Sequence, residues 1–155
     1  MSAGLLCYRT RDGTVEVFLV HPGGPFWARK DDGAWSIPKG EHLDGEEPLT
    51  AARREFAEET GFDVPTGALI PLAPLKQPSG KVISAWAVEA DFDAAGIVSA
   101  TFTVEWPPRS GLMREFPEVD RAGWFDLVAA ERKLTPGQRP FLIDLAARLA
   151  PDPTG

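Results

Sequence analysis

Only one cysteine, Cys7, occurs in the 155 residues. That excludes an intramolecular disulfide and a cysteine-ligated zinc site, and it suits a reducing compartment. Long apolar runs are also missing. The segment Met1–Cys7 is too short for a signal peptide, and Arg9, Arg11 and Asp12 follow at once. No run approaches the length needed to span a bilayer, so a cytoplasmic protein without membrane contact is expected. Positive charge is in deficit: 16 Lys and Arg stand against 23 Asp and Glu, a net charge of −7. Such a surface has no general attraction for nucleic acid or anionic lipid, so a nucleic-acid partner is not expected. It still admits a polyanionic small molecule, because a bound metal and a few local cations reverse the field within one cleft. Internal repeats, linkers and low-complexity segments are absent as well.

What remains is ordinary for one globular domain: 43% hydrophobic and 25% charged residues. A single domain over residues 1–150 with a flexible tail at 151–155 is expected. The stretch Gly40–Phe62 is the informative one. A loop runs into an Ala/Arg/Glu-rich helix with Pro48 near its start, and Gly61 stops it. Leu49, Ala52 and Phe56 recur at helical spacing and predict the buried stripe. Glu55, Glu58 and Glu59 project together from another face. Like charges so placed repel by a few tenths of a kcal/mol and oppose the macrodipole at the carboxyl end. Arg54 can pair with Glu58, but one arginine does not balance three glutamates. A local rule broken in this way marks a functional site, and clustered carboxylates suit a hard divalent ion such as Mg²⁺.

Around that stretch the pattern favours strands. Ala3–Tyr8 and Val15–Val20 alternate or run apolar, and Asp12-Gly13 between them signals a hairpin turn. Trp35–Pro38 is a short extended piece, since Pro38 disfavours helical geometry at Ile37. Ala68–Leu75 carries prolines and is expected at a sheet edge. Lys81–Glu89 and Thr101–Trp106 are expected strands, 109–120 a polar loop, and Ala122–Phe125 a short strand. Asp126 is placed to cap a brief helix through Arg132. Thr135-Pro136-Gly137-Gln138 matches a capping box for a last helix whose apolar face is Phe141, Leu142, Leu145 and Leu149. These elements predict an α/β fold, a mixed sheet covered by a helix on each face.

The central stretch resembles the signature of the Nudix hydrolases. Gly40, Glu46, Arg54, Glu55, Phe56, Glu58, Glu59, Gly61 and Phe62 fill every position. Seven positions demand one residue type each; at about 7% usage apiece a chance match is on the order of 10⁻⁸ per starting position. The alternative, a salt-bridged amphipathic helix, does not require that pattern. The resemblance implies the family's α/β/α sandwich and metal-dependent hydrolysis of a nucleoside diphosphate linked to another group, with Mg²⁺ or Mn²⁺ as cofactor and a small-molecule nucleotide as substrate. It implies Glu55, Glu58 and Glu59 as metal ligands, the Gly40 carbonyl as a further ligand, and Arg54 as the residue that orients a glutamate. Glu55 is favoured as general base, and Glu46 is assigned to the loop–helix geometry.

Other candidates lie outside the signature. Glu118 precedes Trp124 by six residues and resembles a distant acidic ligand of the family, with Glu105, Glu115 and Asp120 as substitutes. Lys39 adjoins the site and is a phosphate-binding candidate. Lys81, Arg109 and Arg114 are candidates for distal phosphates, against the alternative of plain surface charge. Trp27, Trp35 and Trp86 are candidates to stack on a base, against the alternative of core. His42 adjoins the site, though a lone histidine is more often structural or solvated. Phe18, Val82 and Trp124 are assigned to the core. The Pro38-Lys39-Gly40 lead-in resembles the branch acting on dinucleoside polyphosphates, and also the one acting on inositol pyrophosphates, although the downstream tyrosine common there is missing. Pro78 lies at a spacing similar to ADP-ribose pyrophosphatases. A nucleoside polyphosphate is the favoured substrate class. A nucleotide-binding module without turnover is the contrasting class, and the intact carboxylates favour an enzyme.

Overall fold

The computed structural model describes residues 1–150; the tail expected at 151–155 lies outside the described residues. The hairpin turn signal is met in full. Strands β1 (Ser2–Arg11) and β2 (Thr14–Pro22) are antiparallel, with Arg11 opposite Thr14. Asp12 and Gly13 take φ of 51° and 77°, the two positive angles of the turn that matches strand twist. β1 and β2 lie at the centre of a seven-stranded sheet. β3 (Lys39–Glu41) pairs antiparallel with the start of β1.

The proline-interrupted stretch splits into two short edge strands, β4 (Leu69–Pro71) and β5 (Leu75–Lys76), both on β6 (Val82–Glu89). β6 runs parallel to β1, so the sheet is mixed. Residues 109–120 are not one loop. β8 (Met113–Pro117) pairs antiparallel with β7 (Thr101–Glu105) as a separate two-stranded hairpin. β9 (Val119–Asp126) follows at once and pairs with β2 along most of its length. The polar residues 113–121 hid β8 and the first half of β9, whose second half is the strand expected at Ala122–Phe125, because each strand there has a solvated face and too few apolar residues to show alternation.

Helix α1 (Pro48–Thr60) covers one face of the sheet. Gly61, at φ 74°, returns its N–H to the Ala57 carbonyl as a left-handed cap. Ala51, Ala52 and Phe56 are fully buried; Leu49, expected in that stripe, is only half-buried. They pack with Ala3, Leu5, Cys7, Phe18 and Val20. The opposite face buries Leu6, Val17, Leu19, Ile83, Ala85 and Ala87 against α2 (Leu127–Lys133) and α3 (Pro140–Leu149). Alternate residues of each central strand therefore feed two separate cores, each large buried side chain contributing roughly 1.5–3 kcal/mol. Asp126 caps α2 by accepting from the Ala129 N–H at 2.7 Å.

The capping box at Thr135 does not form. Thr135 makes no side-chain cap bond, and Pro136–Gln138 is a single 3-10 turn. Gln138 is buried instead. Its Oε1 accepts from the Ile37 N–H at 3.0 Å and its Nε2 donates to the Ser36 hydroxyl at 3.0 Å. Pro136 and Pro140 bracket the turn, so the helix starts late and the glutamine is free to tie down the segment that leads to β3.

Candidate active site

Arg54 is the hub of the loop–helix junction. Its Nε and Nη2 donate to the two carboxylate oxygens of Glu46, both at 2.9 Å. Nη2 also donates to the Glu41 carbonyl at 3.0 Å, and Nη1 to Glu55 at 2.8 Å. The expected contact with Glu58 is present but longer, at 3.3 Å. A planar guanidinium fits this fan of acceptors, where an ammonium would not. Glu46 also accepts from the Leu43 N–H at 2.9 Å. These bonds, led by the Arg54 pair, hold its carboxyl down at about 2. One arginine thus joins the loop, β3 and the acidic face of α1.

β3 brings the backbone of residue 40 against that face. Gly4 lets it approach, because a Cβ there would meet the Pro38 carbonyl at 2.6 Å. Residue 40 faces the same constraint from the other side: a Cβ on Gly40 would enter the Glu55 carboxylate. Glu59 points the same way and accepts from the Lys39 N–H at 3.3 Å. Burial, then the charge of Glu55, pushes the Glu59 carboxyl up to about 8, with Glu118 adding to the effect. The Glu118 carboxyl is raised too, by burial and then by Glu55 and Glu58. The four carboxylates therefore face one another closely enough for their charges to be felt. A cavity of about 180 Å³ opens at Glu59 and Glu118, lined also by Pro22, Ser36 and Lys39 among others.

Glu118 reaches this place through backbone bonds. After α1 the chain folds back, and the N–H groups of Val98 and Ala100 donate to the carbonyls of Thr60 and Glu58, both at 2.8 Å. Ala100 in turn accepts from the Glu118 N–H at 2.8 Å, and the Glu118 carbonyl accepts from Gly23 at 2.9 Å. Glu105 and Glu115 sit exposed on the β7–β8 hairpin. Asp120 lies 2.8 Å from His21 Nδ1.

The remaining candidates are spread around the rim. The Lys39 side chain lines the cavity. Lys81 donates to Glu41 at 2.9 Å and is on the far side of β3. Arg109 and Arg114 are exposed on the hairpin and form no ion pair among the described residues. Trp27 is 40% exposed, with the Lys30 ammonium 4.9 Å from its ring centre. Trp35 is core, its indole N–H donating to Asp31 at 2.8 Å. Trp86 is half-buried under α1, Phe18 is fully buried, and Trp124 packs against it at 5.5 Å. Val82 is half-buried at the start of β6. His42 is half-buried beside β3, with Nε2 unpartnered.

Two residues with structural roles at the site escaped the sequence reading. Buried His21 lies 2.6 Å from the Lys30 carbonyl through Nε2 and so ties the 23–34 loop to β9. Gln138 anchors Ile37. Neither belongs to a local pattern; each has a partner roughly a hundred residues away, Asp120 for His21 and Ile37 for Gln138.

By donor chemistry the carboxylates fit a divalent cation. They are hard oxygen ligands, and burial together with neighbouring carboxylates raises the carboxyls of Glu59 and Glu118, with Lys39 only partly opposing this at Glu59. Among the described residues, no three Asp, Glu, His or Cys side chains are posed to chelate an ion as they stand. Glu55 and Glu58 face Arg54, and Glu59 faces the Lys39 amide.

The family model of the NUDIX domain matches residues 1–145. No curated protein matches the sequence. Solved structures do match in fold. An Ap4A hydrolase of C. elegans in a binary complex aligns with a TM-score of 0.66 at 21% identity, covering 96% of this chain and 98% of that one. The NUDIX domain of Shewanella oneidensis NrtR complexed with ADP ribose aligns with a TM-score of 0.65 at 15% identity, covering 96% and 87%. A NUDIX hydrolase from Listeria monocytogenes aligns with a TM-score of 0.63 at 17% identity, covering 96% and 93%.

Proposed function

This chain belongs to the NUDIX family of pyrophosphohydrolases, and we propose that it hydrolyses a pyrophosphate bond in a nucleoside diphosphate linked to another group, with a nucleoside polyphosphate as the favoured substrate. The observation that carries this reading is that Glu59 and Glu118 line one cavity, while Glu55, close against Gly40, and Glu58 bring further negative charge to them.

Glu55, Glu58, Glu59 and the Gly40 carbonyl would hold Mg²⁺ or Mn²⁺, with Glu118 completing the set. When bound, the ion neutralises the diphosphate and makes a water more acidic. Arg54 orients Glu55 and holds it against Gly40. Glu55 and Glu58 would have to leave Arg54 to hold an ion, and the paired bonds to Glu46 would keep the guanidinium in place. Glu55 is the favoured acceptor of the proton from the attacking water. Lys39 supplies a positive charge at the cavity wall for a phosphate that the carboxylates would otherwise repel.

The Ap4A hydrolase and the ADP-ribose-bound NrtR domain share the fold at similar scores, and this places both substrate types in the test. The test is product release from a panel of dinucleoside polyphosphates, nucleoside triphosphates and ADP-ribose, with Mg²⁺ and with Mn²⁺. Turnover of a polyphosphate that is lost in Glu58→Gln/Glu59→Gln supports the proposal. A wild type as inert as that variant on every substrate leaves the non-catalytic binding module as the surviving reading.

A further inference from the structure

Resting on the reading just given, we infer that the β7–β8 hairpin and the loop at residues 24–30 seat the substrate's nucleobase. Phe26 and Trp106 form the stacking surface, and Arg114 lies on the same face for phosphate.

The hairpin sorts its side chains by face. Phe102 is opposite Phe116 and Val104 is opposite Arg114, while the Trp106 N–H donates to the Leu112 carbonyl. Residues paired across a hairpin share a face, so one face carries Phe102, Val104, Arg114, Phe116 and Trp106. The other carries Thr101, Thr103, Glu105 and Glu115. The acids are segregated away from the aromatic side in a chain that is acidic overall.

That aromatic side meets the 24–30 loop at close range. A Cβ on Gly24, at φ 96°, would touch the Phe102 ring at 2.7 Å. The rings of Phe26 and Trp106 stand edge to face with centres 5.3 Å apart. Phe26 is nonetheless 58% exposed, so the contact leaves most of its surface to solvent. An exposed aromatic of this kind stays in water at a cost unless something covers it.

Position and charge say what covers it. Pro22 lines the carboxylate cavity, and the next residue, Gly23, donates to the carbonyl of Glu118. The aromatic pair therefore continues from the cavity along one loop. Arg29 in the same loop, and Arg109 and Arg114 on the same hairpin, are exposed and form no ion pair among the described residues. An open ring face next to unpaired guanidinium groups, adjoining an acidic site, matches a base carried on phosphate. The loop is also fixed beforehand: His21 holds the Lys30 carbonyl, and Lys133 holds Asp31 at 2.8 Å. Little ordering is left for the ligand to impose.

The test uses ligands with no pyrophosphate to cut, so it stands apart from the question of turnover. Calorimetry compares AMP with ribose 5-phosphate on the full chain. AMP binds more tightly, and Phe26→Ala weakens AMP roughly five- to a hundredfold while leaving ribose 5-phosphate unchanged. Arg114→Gln weakens both ligands alike, and Phe26→Tyr restores AMP binding. In turnover, Phe26→Ala raises KM for a nucleoside polyphosphate by a similar factor with kcat kept within about twofold. Equal affinity for AMP and ribose 5-phosphate overturns the inference, as does a Phe26→Ala protein that binds AMP like wild type. So does a self-associating wild type that Phe26→Ala turns monomeric with AMP binding intact, since the patch is then an interface between copies. Inert turnover with base-selective AMP binding counts against the hydrolase reading alone.

Discussion

The carboxylate of Glu55 occupies the space that a side chain on residue 40 would need. These residues come from different elements, β3 and α1, and their contact sets the distance between a main-chain carbonyl and the acidic face. Gly40→Ala must push one of them away. A displacement of about 1 Å at a reacting centre costs on the order of 10²-fold. The expected result is a loss of kcat of that size, with a circular dichroism spectrum like wild type. An active Gly40→Ala enzyme would separate the Gly40 backbone from the site.

Arg54→Lys keeps the charge but cannot reach Glu46, Glu55 and the Glu41 carbonyl at once. Supporting residues of this kind are worth about 10- to 100-fold in metal affinity or activity. The expected signature is a higher Mg²⁺ requirement together with a lower kcat, read by titrating activity against Mg²⁺.

The Glu46–Arg54 pair predicts an acid dependence of stability. Its folded carboxyl lies at about 2, below the ordinary 4.5. A depressed carboxyl stabilises the fold above its unfolded value, and that contribution fades as pH falls through the folded one. The difference in Tm between wild type and Glu46→Gln should be full at pH 6, shrink below pH 4.5 and vanish near pH 2. A difference that stays flat from pH 6 to 3 would sink the assignment.

Gln138→Leu removes the acceptor of the buried Ile37 N–H. An orphaned buried donor costs about 1–3 kcal/mol, or roughly 2–12 °C in Tm for a chain of this size. Because Ile37 leads into β3, hydrolysis should fall at temperatures where the protein is still folded. Thermal unfolding alongside an activity–temperature profile checks both.

Cys7 is fully buried between β2 and β6, and burial pushes its thiol up to about 12. The thiolate is the reactive form. Labelling by a maleimide at pH 8 should therefore be slow in the native protein and rapid in guanidinium chloride, so its rate reports global opening.

Much of this was legible beforehand because it is local. The Asp12-Gly13 turn, the Pro48 start and Gly61 stop of α1, and the alternation in 82–89 each fit within a few residues. The three helix glutamates share a face by periodicity alone. What the pattern missed depends on pairing at a distance. β8 and the first half of β9 carry Arg114, Glu115, Asp120 and Arg121, and only their partners on β7 and β2 make them strands. Thr135 looked like a cap, but Gln138 is drawn inward by the Ile37 amide. His21 carries no local signal, and its buried contacts with Lys30 and Asp120 form only when the loops meet.

Ala100 stands between Glu58 and Glu118, donating to the carbonyl of one and accepting from the amide of the other. These two acids are sixty residues apart in the chain, yet a single residue spaces them. During synthesis the whole signature through Phe62 leaves the ribosome long before its fourth carboxylate exists. β2, too, waits for β9 to cover its open edge. The nascent chain thus carries a complete family signature before Glu118 and the strand after it exist, so the two parts of the proposed site meet only late.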